Sequence, residues 1–125
     1  RYISSFAVDE NDAQHVLVSF SGFSRSWTEG PGAGIGHLFE THDGGTTWTD
    51  ISANLPDVPA TSVKILPNGG LALGTDLAAF YRAPGTTDWR VLGRNLPTTS
   101  VQQLKIGPDG KLYAATFGRG IWSFD

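Results

Sequence analysis

The chain has no cysteine and no methionine among its 125 residues. Without cysteine there are no disulfides and no thiolate metal sites, although secreted bacterial proteins often lack it too. Basic clusters are missing as well. Nine Lys and Arg stand against twelve Asp and Glu, for a net charge of −3. A broad phosphate-binding surface needs clustered cations, so nucleic acid is excluded as a partner. No apolar run approaches the length of a bilayer span, so no membrane insertion is expected. Persistent runs of helix formers are absent. The chain opens at Arg1 with no charged or apolar leader segment. It therefore reads as a piece cut from a longer protein, with no targeting signal of its own.

What is present is glycine, 16 residues of it, and a 41-residue period. Shifted by that amount, thirteen identities align without a gap. Phe39, Gly44, Thr46 and Trp48 fall on Phe80, Gly85, Thr87 and Trp89. Asn54-Leu55-Pro56 falls on Asn95-Leu96-Pro97, and Lys64-Ile65 on Lys105-Ile106. Pro67, Gly69, Leu71 and Thr75 fall on Pro108, Gly110, Leu112 and Thr116. A period near forty marks one supersecondary unit that cannot bury its faces alone.

Each unit reads as four short strands. The second copy predicts strands at 62–66, 71–75, 78–82 and 88–92, with Asn68-Gly69 supplying positive φ to the hairpin turn after Pro67. The third predicts strands at 101–106, 111–116 and 120–124 around the turn Pro108-Asp109-Gly110. The first predicts strands at 3–8, 15–20, 36–41 and 47–51. The expected fold class is all-β: a partial β-propeller of about three four-stranded antiparallel blades, approximately 1–56, 57–97 and 98–125, the last lacking its outer strand. Propellers close with about four to eight blades. The expected partner is therefore the remainder of the same propeller or a second copy of the chain. The natural end is expected at Asp125 and the interior cut at Arg1.

Thr41-His42-Asp43-Gly44-Gly45-Thr46-Thr47-Trp48 resembles the Asp-box of the BNR (sialidase-type) repeat, Ser/Thr-x-Asp-x-Gly-x-x-Trp. The residues explain the motif physically. Asp43 can accept bonds from turn N–H groups, Gly44 and Gly45 can take positive φ, and Trp48 is expected to bury its ring between neighbouring sheets. Thr41, Asp43, Gly44, Gly45 and Trp48 thus form a structural box. The family places it away from any active site. In the second copy Pro84 replaces the aspartate, so 82–89 is a degenerate box. The ending Gly118-Arg119-Gly120-Ile121-Trp122 is similar to the last blade of secreted bacterial BNR-like propellers, of xyloglucan-cleaving glycosidases and of the sortilin (VPS10) group. The resemblance implies a secreted or periplasmic protein.

No catalytic set stands out. Sialidase chemistry needs an arginine triad and a Tyr/Glu pair. Arg1, Arg25, Arg82, Arg90, Arg94 and Arg119 carry no Arg-Ile-Pro signature. Glycoside hydrolysis needs two carboxylates across one cleft; Asp57 and Asp76 could face one, but nothing marks them. His37 and His42 are expected on opposite faces of one strand. Glu40 and His42 share a face, which reads as a solvated outer strand rather than a metal site. The run Gly30–Gly36 lacks the Lys-Ser/Thr and helix of a phosphate loop. No metal and no cofactor are expected.

The insertion 21–35 is the one segment the repeat does not require. Arg25, Trp27 and Glu29 in it, with Asp76, Phe117 and Arg119 from the equivalent loops, are the ligand-binding candidates. They are expected on one face, with the Asp-box on the other, and their mixture suits a glycan or a protein surface. The expected function is a non-catalytic binding or scaffolding portion of such a propeller. The alternative is part of a glycoside hydrolase, or of a processed protease-associated chain, whose catalytic residues lie elsewhere.

Overall fold

Glycine- and proline-punctuated alternation yields eleven short strands in the computed structural model, which describes residues 2–22, 36–92, 99–118 and 120–124. The first sheet contains β1 (Ile3–Asp9), β2 (Asp12–Phe20), β3 (Leu38–Thr41) and β4 (Thr49–Asp50). The second contains β5 (Ala60–Ile65), β6 (Leu71–Thr75), β7 (Ala79–Arg82) and β8 (Arg90–Val91). The third contains β9 (Val101–Ile106), β10 (Leu112–Thr116) and β11 (Ile121–Phe124). Each is an antiparallel meander in chain order, so the third has three strands among the described residues.

The sheets stack face to face, with β1 beside β5 and β5 beside β9. Side-chain direction alternates along each strand and sorts the two cores. Leu17 and Leu38 of the first sheet meet Val63, Leu71, Leu73, Phe80 and Trp89 of the second. Ala72 and Ala79 point the other way, onto Val101, Leu104, Leu112 and Ala114 of the third. The second sheet is thus covered on both sides, and every residue of β6 is buried. Inner strands are also tied across sheets: Val63 N–H donates to Ser5 Oγ (3.4 Å), and Leu104 N–H, 41 residues later, to Ser62 Oγ (3.2 Å).

The hairpin turns differ from the expectation in one respect. Within the 66–70 turn only Gly69 (φ 87°) has positive φ, and Asn68 does not. Gly69 N–H bonds Leu66 C=O and Leu66 N–H bonds Gly70 C=O, which makes a turn with Pro67 at its first corner and the glycine after it. Pro pre-sets the first corner angle, so one glycine suffices. Gly107 to Lys111 repeats the pattern. The fourth strands are also shorter than 47–51 and 88–92, shrinking to two residues each. In the first sheet the cause is local: Thr47 gives its backbone N–H to Asp43 instead of to a ladder.

Candidate functional site

In a meander, successive connections alternate between the two ends of the sheet. The β2–β3, β6–β7 and β10–β11 connections share one end, and the turn 42–48 lies at the other, beside the β1–β2 turn, where Gly44 N–H bonds Gln14 C=O.

At the loop end, threonine closes two equivalent connections. Thr75 Oγ1 donates to Ala78 C=O (2.7 Å), and Thr116 Oγ1 donates to Gly120 C=O (2.7 Å). This is why threonine recurs at that step of the repeat. Segment 99–100 then straps the two loops together. Thr99 N–H bonds Leu77 C=O, Phe117 N–H bonds Ser100 C=O, and Thr99 Oγ1 donates to Phe117 C=O (3.1 Å). Ser100 Oγ donates to Asp76 Oδ1 at 3.3 Å. Asp76 and Phe117 are therefore brought to one end, and Phe117 is 76 % exposed. His37 and Asp57 meet at the same end, Nε2 to Oδ1 at 2.9 Å. Asp76 N–H bonds Pro59 C=O, which ties the second loop to the connection that carries Asp57. Arg25, Trp27, Glu29 and Arg119 lie outside the described residues.

The 41–48 turn is held by a dense set of bonds. Thr41 Oγ1 donates to Asp43 Oδ1 (2.7 Å) and accepts from Gly45 N–H (3.0 Å). Asp43 accepts from Thr47 N–H (2.9 Å) and Thr47 Oγ1 (2.6 Å). A β-carbon at Gly44, whose φ is +68°, would come within 2.6 Å of Gln14 Oε1. The Thr47 hydroxyl and N–H, with Thr41, pull the Asp43 carboxyl down to about 2 from its usual 3.8. Folding stability from this group is therefore fully present above about pH 4 and is lost as pH falls toward 2. We expect Asp43→Asn to flatten that stretch of the melting-temperature curve. An unchanged slope between pH 4 and 2 would show that Asp43 does not anchor the turn. In the second copy, Arg82 Nε donates to Thr86 C=O (2.6 Å) and Thr86 Oγ1 to Ala83 C=O, replacing the missing carboxylate.

Two expectations for this end need correction. Trp48 does not bury its ring between sheets of this chain: it is 44 % exposed, with Nε1–H on Gly45 C=O. Together with Ile3, Val18, Phe20 and Phe39 it lines an open apolar hollow of about 370 Å³ on the outer face of the first sheet. Its repeat equivalent, Trp89, is 4 % exposed. There Asn54 bonds both backbone groups of Trp89 (2.7 and 2.9 Å), and the indole N–H reaches Ile51 C=O. The difference is one of neighbours: Trp89 packs on the first sheet, whereas Trp48 has no sheet beside it among the described residues. Glu40 is likewise not on a solvated outer strand. β4 covers the edge of β3, and the Glu40 side chain is only 14 % exposed.

Glu40 faces His15 across β2–β3. His15 Nδ1 lies 2.9 Å from Asp9 Oδ2, and Nε2 lies 2.7 Å from Glu40 Oε2. His42 Nε2 is 3.4 Å from Glu40 Oε1, and its ring stacks on that of His15 at 4.4 Å. Burial pulls the His15 pKa down, but the bonds to Asp9 and Glu40 outweigh it and leave the imidazole above its ordinary value. His15 in turn holds the Asp9 carboxyl below its own, helped by Asn11 N–H. Sequence reading paired Glu40 with His42 and missed His15 and Asp9. β2 starts at Asp12, earlier than the expected strand start at His15, and its register against β1 and β3 supplies the encounter.

No protein-family model matches the chain. No curated protein matches it either. Solved structures do. The extracellular domain described as that of a hybrid two-component system of B. thetaiotaomicron superposes with a TM-score of 0.68 at 16 % identity, over 98 % of this chain and 15 % of its own. A GH74 enzyme of Niastella koreensis gives 0.69 at 16 % identity, over 97 % and 21 %. YCF48 bound to a D1 peptide gives 0.60 at 18 % identity, over 98 % and 35 %. The chain thus spans from about a seventh to about a third of these proteins. At such identities the likeness extends to the fold alone, and that fold is the β-propeller, of which this chain forms about three blades.

Proposed function

We propose that the chain is a non-catalytic binding stretch of a secreted bacterial BNR-type propeller. The 41–48 turn is read as its Asp-box, and a glycan or protein ligand is read as held at the loop end. The observation that carries this reading is the Phe117 ring, exposed at a loop strapped through 99–100 to Asp76. An exposed aromatic on a rigid scaffold, beside a carboxylate and hydroxyls, suits ligands with both apolar faces and polar rims. Arg25, Trp27, Glu29 and Arg119 are proposed to join the same surface. The open face around Trp48 is proposed to receive another blade, from the same propeller or from a second copy.

A glycan-array and pull-down screen of the purified protein tests the binding reading. Phe117→Ala is expected to weaken any ligand by about tenfold or more, at an unchanged melting temperature. A ligand indifferent to both Phe117→Ala and Asp76→Ala would remove this surface from consideration.

The second reading is part of a glycoside hydrolase whose catalytic residues lie outside this chain, favoured by the GH74 neighbours. Sugar release from polysaccharide by a longer protein carrying this chain, unchanged by Asp57→Asn and Asp76→Asn, would establish it in place of the first.

A further inference from the structure

The cluster at the other end of the first sheet has a different chemistry. Asp9, His15, Glu40 and His42 project from one face of the β1–β2–β3 register, beyond the apolar pair Leu17 and Leu38. One ligand atom from each of His15, Glu40 and His42 lies within 4.8 Å of the other two. We propose that His15, Glu40 and His42 form a binding site for a divalent transition cation of the zinc class, with Asp9 as the residue that positions His15.

The donor set carries the assignment. Two imidazoles and one carboxylate suit zinc and its neighbours, whereas calcium and magnesium prefer shells of oxygen. The cluster also brings two carboxylates, Asp9 and Glu40, to two imidazoles, so acidic side chains stand ready to balance the charge of the cation. A carboxylate on the far nitrogen of a ligating histidine is a recurrent device. It fixes the tautomer, aims the other nitrogen and raises its basicity. Asp9 stands in that place: bonded to Nδ1, it leaves His15 Nε2 directed at Glu40.

Distances favour a small, four-coordinate ion. Tetrahedral bonds of about 2.0–2.1 Å put neighbouring ligand atoms roughly 3.3 Å apart. Glu40 Oε1 and His42 Nε2 are already 3.4 Å apart. The other oxygen, Glu40 Oε2, lies 2.7 Å from His15 Nε2 across a hydrogen bond whose proton the metal would replace. The stacked rings are nearly parallel, 10° between planes, so their lone pairs do not yet converge. His42 is the residue free to turn, since its side chain is 68 % exposed while that of His15 is 14 % exposed. Binding would then pin the 41–48 turn to β2, with water completing the shell.

Titration calorimetry of untagged, metal-free protein with zinc ion alone is the test, with thermal melting and the visible spectrum of the cobalt(II) form alongside. The expected result is one ion per chain, a raised melting temperature and a tetrahedral cobalt spectrum. His42→Ala should leave the metal-free melting temperature unchanged and abolish the rise on adding zinc. Asp9→Asn should weaken binding by about 10- to 100-fold with all three ligands intact. Absence of binding at 1:1, or binding equal in wild type and His42→Ala, would overturn the proposal.

Discussion

Trp89→Ala is expected to cost about 3–5 kcal/mol, the usual price of emptying a buried aromatic site. The indole is 4 % exposed, packed among Ile51, Leu55 and the apolar residues of the first two sheets, and its N–H would leave Ile51 C=O without a partner. Trp48→Ala, at the equivalent step of the repeat, is expected to cost only about 1–1.5 kcal/mol in this chain, since nearly half of that ring is already in water. Urea denaturation of both variants checks the contrast. Equal losses would mean that the two tryptophans share an environment, against the geometry described above.

The second large effect is expected at Leu73. It sits on the second strand of the central sheet, fully buried, opposite Val63 on one side and Phe80 on the other. Covered on both faces, this sheet has little room to collapse around a deletion. Leu73→Ala should cost about 2–5 kcal/mol. Phe6→Ala removes a larger side chain, but one that is 66 % exposed on the open face of the first sheet, and should stay within about 0.5 kcal/mol. Thermal melting of the pair decides the matter. A Phe6 variant as unstable as the Leu73 variant would mean that the face is already covered within the chain.

The repeat made most of this architecture legible. Thr75 and Thr116 mark equivalent steps because each closes the same connection in its unit, and Phe39/Phe80 and Trp48/Trp89 mark the same face of successive sheets. Asn54 recurs as part of Asn-Leu-Pro, and its job becomes visible only in space, where it holds the backbone of the next unit's tryptophan. Trp48 stays half-exposed in this chain because a motif describes one unit, whereas burial depends on whether a second unit lies alongside. The fourth strands, Thr49–Asp50 and Arg90–Val91, are shorter than expected where side chains take N–H groups from the ladder: Asp43 takes that of Thr47 and Asn54 that of Trp89. The Asp9–His15–Glu40–His42 cluster was out of reach of spacing alone. His15 and Glu40 are 25 residues apart and meet only through the register of β2 on β3.

The central claim is that the hollow lined by Ile3, Val18, Phe20, Phe39 and Trp48 is an inter-blade surface, used as the Trp89 surface is used one unit later. Hydroxyl-radical footprinting, read at each tryptophan by mass spectrometry, tests it directly on the dilute chain and on the chain assembled with the proposed further blades, whether from a longer propeller or a second copy. Trp89 is expected to be protected in both, and Trp48 to react quickly in the dilute chain and to be protected in the assembly. Trp48 reacting equally fast in both would contradict it.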